Sequence, residues 1–303
     1  MTIPTPFRQI RAAVKAALAE DLSLGDVTTA ALFPKPVRAR GTIIAHHPMT
    51  VAGIAVARQV FAQVDPSLKI VRTVRDGASV QANAPVLIVR GDARSLLMAE
   101  RVALNFLQRL SGIATLTAHF VSAVRGYRAK ILDTRKTTPG LRALEKWAVR
   151  LGGGRNHRQS LGDGILIKDN HLAVLRAQQI GVTEACRLAR ERGPQGLKIE
   201  VEAQTLKDVH EALNGGADII LLDNMTPALV RQATAIIKDC ALVEVSGGIT
   251  LKTVQEMAAS GADFISIGAL THSAQAADLS MDIVPFHPGQ RRQRGGKGGR
   301  GKE

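Results

Sequence analysis

From Leu197 onward the chain repeats a unit made of a short apolar segment followed by an amphipathic segment. The apolar segments LKIEVE, DIILLD, ALVEVS and DFISIG begin about 20 to 23 residues apart. This spacing predicts parallel β-strands joined by helices. Upstream, KILDT and ILIKDN fit two earlier strands, which makes six, fewer than the eight of a complete α/β barrel. We therefore predict an incomplete parallel α/β barrel.

The predicted strands are almost continuous in Ile, Val and Leu, as expected of parallel strands buried on both faces. Polar side chains appear where they end: Asp133, Lys168, Glu202, Asp223 and Ser246. In α/β barrels the carboxyl ends of the strands carry the chemistry. We therefore expect these five side chains to meet at one rim.

The first part of the chain predicts a different unit. Helices are expected around residues 7 to 20 and 53 to 64, and strands near 38 to 45, 69 to 74 and 86 to 90. A long helical pattern then runs from Ala93 to about Val124 and carries Arg101. This mixture predicts a small α/β unit that precedes the barrel.

The net charge of +14 is unevenly distributed. The last 17 residues contribute +5 and are rich in Gly, which predicts a disordered tail and leaves a contact with nucleic acid open. The remaining +9 favours anionic substrates. An aromatic content of 3% argues against a base-stacking surface.

Cysteine usage and hydropathy predict a location in the cell. Cys186 and Cys240 form no CxxC motif and have no paired histidine spacing, which indicates a reducing compartment and no zinc site. No apolar run approaches 18 residues, so no membrane span is expected. The first helical segment lacks the apolar stretch of a signal peptide. We expect a cytoplasmic protein.

A basic run extends from Arg135 to Arg158, with seven Arg or Lys residues and one acid, Glu145. Thr134, Arg135 and Lys136 directly follow a predicted strand. A guanidinium suits a carboxylate and an ammonium suits a phosphate, so the pair fits a ligand that carries both groups. The alternative is a solvated loop.

A second cluster lies in GGGRNHRQSLGDGILIKDNH, which contributes His157, Arg158, Lys168 and His171. Each histidine alone is compatible with a structural role, and no spacing joins the two to a third metal ligand. With the basic run, these residues favour a cationic pocket.

Acidic residues and glycines are expected on the same rim. Glu200 and Glu202 share one face of a strand, and Asp223 ends the next strand. Acids here can hold Mg²⁺, bind sugar hydroxyls or stabilise a developing cation, or form a structural ion pair. The glycines of SGGIT and SIGALTHS are able to cradle phosphate, although each signal alone is weak.

Taken together, these motifs closely resemble the quinolinate phosphoribosyltransferase family of NAD biosynthesis. The similarity runs through EDLSLGDVTT, AERVALNFLQRLSGIAT, TRKTTPGLR, EKWAVRLGGGRNHR, LIKDNH, EVEAQ, LLDN, SGGIT and IGALTHS, and it excludes the basic tail. The resemblance implies that quinolinate and phosphoribosyl pyrophosphate react with Mg²⁺ as cofactor, giving nicotinate mononucleotide, pyrophosphate and CO₂.

The resemblance also implies roles for individual residues. Quinolinate would bind to Arg101, Arg135, His157, Arg158 and Lys168, with Thr134 and Lys136 in the same binding segment. Glu202 and Asp223 would hold the ribose and the metal, and with Lys136 and Lys168 they form the expected catalytic set. The phosphate loops would be Ser246, Gly247 and Gly248, and Ile267, Gly268 and Ala269.

The family's fold implies an N-terminal α/β sandwich domain joined to an incomplete, seven-stranded type of α/β barrel. We expect these domains at 1–112 and 113–270, a segment at 271–287 that returns to the first domain, and the basic tail at 288–303. A homodimer is implied, with Arg101 acting across the interface.

Two alternatives remain open on the sequence: a related enzyme with a different acceptor base, and a nucleic-acid-binding protein that uses the tail.

Overall fold

Two β-sheets organise the computed structural model, which describes residues 6–286. The predicted tail at 288–303 lies outside the described residues. The first sheet has four strands and is antiparallel, and the second has six strands and is parallel. The predicted α/β class, with an N-terminal unit and an incomplete parallel barrel, is confirmed.

The N-terminal unit owes its elements to amphipathic periodicity. Strand β1 alternates buried and more exposed residues, and helix α1 buries Ile10, Val14 and Leu18, which recur every four residues. In chain order the elements are α1 (Phe7–Asp21), α2 (Val27–Leu32), β1 (Arg38–Ala45), β2 (Met49–Thr50), α3 (Ile54–Val64), β3 (Lys69–Thr73), β4 (Ser79–Val80), β5 (Pro85–Asp92) and α4 (Ala93–Ala123).

The parallel unit follows the strand and helix rhythm of the sequence. Helix caps mark its starts: Thr205 and Asp208 form a reciprocal capping box, and Thr226 accepts the N–H of Leu229 at 3.4 Å. The elements are β6 (Lys130–Leu132), α5 (Arg142–Leu151), β7 (Ile165–Ile167), α6 (Asp169–Arg176), α7 (Val182–Arg192), β8 (Ile199–Ala203), α8 (Leu206–Asn214), β9 (Ile219–Asp223), α9 (Pro227–Ile237), β10 (Leu242–Ser246), α10 (Val254–Ala259), β11 (Phe264–Ser266) and α11 (Ala269–His272). The last element, β12 (Leu279–Pro285), belongs to the antiparallel sheet.

The six parallel strands lie in the order β6, β11, β10, β9, β8, β7. Next to β6, a single parallel bridge between Leu132 and Arg155 adds a seventh position to the sheet. The register pairs Asp223 with Ser246 and Ile167 with Val201, which brings the carboxyl ends of the strands to one rim.

Helix α4 and strand β12 tie the two units together. Asp92 caps α4 by accepting the N–H of Arg94 at 3.1 Å, and the helix runs for 31 residues. The predicted domain boundary at 112 falls inside α4 and stays a prediction. Strand β12 pairs antiparallel with β1, from Leu279 opposite Ala45 to Pro285 opposite Ala39. None of the described helices is both long and apolar enough to span a membrane.

Candidate functional site

A cavity of about 560 Å³ opens at the carboxyl ends of the parallel strands. Lys168, Glu202, Asp223 and Ser246, which the sequence places at strand ends, line it. Asp133, the fifth side chain expected at this rim, is buried and does not line the cavity. Of the expected site residues, the cavity brings together Thr134, Arg135, Lys136, His157, Arg158, Lys168, Glu202, Asp223, Ser246, Gly247 and Gly248.

Two guanidinium groups share this cavity and form no salt bridge within residues 6–286. Arg135 is partly buried, and its Nε has no hydrogen-bond partner among the described residues. Arg158 donates from Nη1 to the carbonyl of Gly164 at 3.1 Å. Burial, and then the charge of Arg135, lower the pKa of Arg158. Two adjacent cations in a partly dry site are stabilised by an anion that reaches both.

Lys136 lies between this pocket and the last strand-to-helix loop. Thr134 Oγ1 accepts the backbone N–H of Lys136 at 3.0 Å, and Thr271 Oγ1 donates to its carbonyl at 2.7 Å. A Cβ at Gly268 would lie 3.0 Å from Lys136 Cδ. The Lys136 side chain therefore packs against Gly268, and a larger residue at position 268 would displace it. Ile267, Gly268 and Ala269 themselves do not line the cavity.

Carboxylates also line the cavity. Glu202 Oε2 accepts the N–H of Asp169 at 3.1 Å, and Asp223 Oδ2 accepts from Asn224 Nδ2 at 2.9 Å. Burial raises the pKa of Glu202, and the charge of Asp223 adds to that rise, so the two carboxylates sense each other. Oxygen donors from two carboxylates beside this cation-lined cavity are a set that Mg²⁺ accepts, because Mg²⁺ commonly takes one or two carboxylates and keeps other oxygen ligands.

Glycine backbone also lines the cavity. Gly247 has φ of 95° and Gly248 has φ of 60°, a region that other residues rarely adopt. A Cβ at Gly247 would lie 2.1 Å from Asn224 Oδ1. The SGG turn therefore depends on glycine, and it offers a backbone surface without side chains to a ligand.

Both ring nitrogens of His157 are engaged within the protein. Nδ1 accepts the backbone N–H of Arg158 at 2.7 Å, while Nε2 lies 3.0 Å from Glu200 Oε2 and 3.6 Å from Glu244 Oε1. This arrangement assigns the proton to Nε2, because Nδ1 acts as an acceptor. The imidazole thus faces the barrel interior, and its predicted contact with quinolinate stays a prediction.

His157, Glu200 and Glu244 are close enough together to be considered as metal ligands. Among the His, Cys, Asp and Glu residues of 6–286, they form the only group of three whose potential metal-ligand atoms lie within 4.8 Å of one another. A metal at this group would need the lone pair of His157 Nε2. In the assigned tautomer Nε2 carries the proton, so this lone pair is not available. The group therefore suits a hydrogen-bonded cluster better than a metal centre.

Glu244 is a cavity residue that the sequence interpretation missed. It is buried, and its Oε1 has no hydrogen-bond partner among the described residues. Burial and the neighbouring charge of Glu200 raise the pKa of Glu244 to about 8. The signal was present in LVEVS, because strand alternation places Glu244 on the same face as Ser246.

Two other predicted residues lie apart from the cavity. His171 caps helix α6, since its Nδ1 accepts the N–H of Lys168 at 3.0 Å, which supports the structural alternative. Arg101 is exposed on α4, and it does not line the cavity of its own chain.

Comparison with known proteins agrees with this geometry. The chain matches the N-terminal domain of quinolinate phosphoribosyl transferase over residues 26–111 and its C-terminal domain over 113–282. It is 41% identical to a probable nicotinate-nucleotide pyrophosphorylase [carboxylating] of Bacillus subtilis (strain 168), covering 88% of this chain and 90% of that protein.

Further relatives extend the match along almost the whole chain. The nicotinate-nucleotide pyrophosphorylase [carboxylating] of Mycobacterium leprae (strain TN) is 42% identical, covering 91% of this chain and 98% of that protein. The solved structure of the Francisella tularensis nicotinate-nucleotide pyrophosphorylase superposes with a TM-score of 0.87 at 36% identity, over 93% of this chain and 98% of that chain. Matches to both domain models and identities of this size confirm the predicted resemblance, and the chain belongs to the quinolinate phosphoribosyltransferase family.

Proposed function

We propose that the chain transfers the phosphoribosyl group of phosphoribosyl pyrophosphate to quinolinate, with loss of CO₂, as the final step to nicotinate mononucleotide. The observation that carries this proposal is the pair of guanidinium groups, Arg135 and Arg158, which share the cavity and form no salt bridge within the described chain. Quinolinate presents two neighbouring carboxylates, and a carboxylate matches the planar fork of a guanidinium.

The remaining cavity residues bind different parts of the second substrate, phosphoribosyl pyrophosphate. Lys136 and the Gly247–Gly248 turn receive phosphate groups, while Lys168 stands beside Glu202 and adds positive charge near the reacting centre. Glu202 and Asp223 bind the ribose hydroxyls and hold Mg²⁺, which neutralises charge on pyrophosphate when it is bound. We assign catalytic roles to Glu202, Asp223, Lys136 and Lys168.

The chemistry needs positioning more than proton transfer. A bond forms between the ring nitrogen of quinolinate and the anomeric carbon as the bond to pyrophosphate breaks, and positive charge develops on the ribose. The fixed carboxylates of Glu202 and Asp223, next to the ribose, stabilise this charge. The quaternised ring then accepts the electron pair of the breaking bond to the carboxylate, CO₂ leaves, and the ring carbon takes a proton.

A homodimer completes this proposal. Arg101 lies outside its own cavity, so it is free to serve the site of a second copy. Exposed apolar side chains occur in both units: Leu24 and Val27 in the N-terminal unit, 91% and 73% exposed, and Leu161 and Val174 in the barrel unit, 71% and 64% exposed.

We place the enzyme in the cytoplasm. Cys186 and Cys240 are both free thiols, which suits a reducing compartment.

The decisive experiment measures CO₂ release from carboxyl-labelled quinolinate by the purified full chain. Release that requires both phosphoribosyl pyrophosphate and Mg²⁺, together with formation of nicotinate mononucleotide, is the expected result. Nicotinate serves as the control acceptor. Preference for nicotinate over quinolinate would refute the assignment and favour a different acceptor base.

A further inference from the structure

Two consecutive charged residues of helix α5, Glu145 and Lys146, are buried at 0% and 1% exposure. Glu145 is the single acid within the basic run and Lys146 is one of its cations, yet neither lines the cavity. Neighbouring helical residues point in directions about 100° apart, so the two side chains reach different segments. Buried charges require partners, and their partners show what the helix holds in place.

Lys146 joins the two basic segments to each other. Its Nζ pairs with Asp133 Oδ1 and donates to the carbonyl of His157 at 3.0 Å. Asp133 also accepts the N–H of His157 at 2.8 Å and an amide N–H of Asn156 at 2.5 Å. The amide of Asn156 donates in addition to the carbonyl of Lys146 at 2.8 Å. The residues just before Thr134 and just before Arg158 are therefore bound to one buried network.

Glu145 fixes the other end of the first basic segment. Its Oε2 accepts the N–H of Thr138 at 3.0 Å, and its Oε1 accepts Thr138 Oγ1 at 2.8 Å. Arg109 of helix α4 donates to the same Oε1 from Nε at 3.0 Å and from Nη2 at 2.7 Å. Arg109 also donates to the carbonyls of Thr271 and Ala274.

The result is a loop tied down on both sides of its two cations. Arg135 and Lys136 lie between Asp133, held by Lys146, and Thr138, held by Glu145. Each anchor is electrically balanced, because Lys146 pairs with Asp133 and Arg109 pairs with Glu145. These four charges thus cancel locally, whereas Arg135 and Arg158 line the cavity and form no ion pair within residues 6–286.

We propose that Glu145 and Lys146 are positioning residues for quinolinate: through Thr138 on one side and the Asp133–Asn156 network on the other, they hold Arg135 and Arg158 at the separation the two carboxylates need. This inference rests on the proposed function. A site that is ordered before its ligand arrives binds without the cost of ordering two arginine loops.

The test compares substitutions that loosen the network with one that only removes charge. Lys146→Gln removes the cation that bridges Asp133 and His157, and Asn156→Ala removes the two amide contacts while leaving the ion pair intact. Glu145→Gln weakens the hold on Thr138. Arg150→Gln is the matched control, because Arg150 lies on the same helix and has no side-chain hydrogen bond or ion pair within residues 6–286. Calorimetry measures quinolinate dissociation from each full-length variant, and steady-state kinetics separates KM from kcat.

We expect Lys146→Gln to weaken quinolinate binding by about tenfold to a hundredfold. Asn156→Ala and Glu145→Gln should weaken it by smaller factors, and Arg150→Gln should match the parent. KM for quinolinate should rise more than kcat falls, since the arginines bind the ground state as well. Val230→Ala, a core change on α9, tests for simple destabilisation: it should lower the melting temperature and leave quinolinate affinity unchanged.

Each outcome decides one question. If the parent does not convert quinolinate, the proposed function fails, whatever the variants do. If the parent is active and Asn156→Ala and Lys146→Gln bind quinolinate as the parent does, the positioning role is overturned. Equal losses in Lys146→Gln and Arg150→Gln would also overturn it, because charge alone would then explain the effect. If Lys146→Gln does not fold, Asn156→Ala decides, since it keeps the buried ion pair.

Discussion

The two ends of the parallel barrel differ in how completely their charged side chains are paired within the protein. At the amino ends of the strands, Asp218 accepts the N–H of Ile199 and a guanidinium N–H of Arg190, both at 2.7 Å. Asp263 accepts the N–H of Val243 at 2.9 Å and pairs with Arg128. At the carboxyl ends, Arg135 keeps a buried Nε without a partner in the described chain.

This difference distinguishes charged side chains that stabilise the fold from charged side chains that are available to bind a ligand. A buried donor without a partner costs free energy in the free protein. That cost is recovered when an anion binds, which is why unsatisfied cations indicate function more clearly than the number of cations does. The predictions below test this contrast, from the largest expected effect to the smallest.

Replacing Arg135 by alanine should have the largest effect. The substitution removes one of the two guanidinium groups that line the cavity, and in the proposed complex a quinolinate carboxylate loses its charged partner. We expect kcat/KM for quinolinate to fall by on the order of 2 to 5 kcal/mol of transition-state binding. Steady-state kinetics with a circular dichroism control for folding measures it. Near-parental kinetics in a folded Arg135→Ala protein would break the contrast at its cavity end.

Glu202→Gln should damage turnover more than quinolinate binding. In the proposed mechanism the Glu202 carboxylate faces the position where ribose gains positive charge, and the amide keeps the size of the side chain while losing its charge. We expect kcat to fall by about 10² to 10³. Calorimetric affinity for quinolinate alone should change little. An unchanged kcat would remove Glu202 from the catalytic set.

Much of this site is predictable from sequence because parallel strands deliver their carboxyl ends to one rim. That rule alone placed Lys168, Glu202 and Asp223 in the same cavity. Strand alternation would also have located Glu244, had its pattern been followed two residues back from Ser246.

Pairing between distant residues is what the sequence does not contain. Lys146 belongs to the basic run by composition, yet it is buried against Asp133, and only the packing of α5 shows this. The ring of His157 points at Glu200 because its Nδ1 accepts from the next backbone N–H, a local conformation that residue type does not specify. A cation in a sequence is a candidate ligand until its partners are known.

Glu244→Gln should alter how stability depends on pH. Burial and Glu200 hold the pKa of Glu244 at about 8, above the ordinary 4.5. Between these values the folded state keeps a proton that the unfolded state has lost, so the parent loses stability as pH rises, by up to about 1.4 kcal/mol per pH unit. Glutamine removes this dependence.

The measurement for Glu244→Gln is the melting temperature of variant and parent from pH 5 to pH 8. The melting temperature of the variant should rise steadily relative to that of the parent as the pH increases across this range. His157 and Glu200 are the other titratable groups of the cluster. Parallel curves for the two proteins would show that Glu244 is ionised in the folded state at neutral pH.

Arg190→Ala should have the smallest effect, and it tests the other end of the barrel. Arg190 pairs with Asp218, but its side chain is 48% exposed, so solvent screens the pair. Exposed ion pairs contribute about 0 to 1 kcal/mol, and Asp218 keeps its bond from the N–H of Ile199 when Arg190 is removed. We therefore expect a small fall in the free energy of unfolding, measured by urea denaturation, and unchanged kcat/KM. A loss of activity comparable to that of Arg135→Ala would mean that the paired charges at the amino ends also act on substrate, and the contrast between the two ends would no longer separate fold from function.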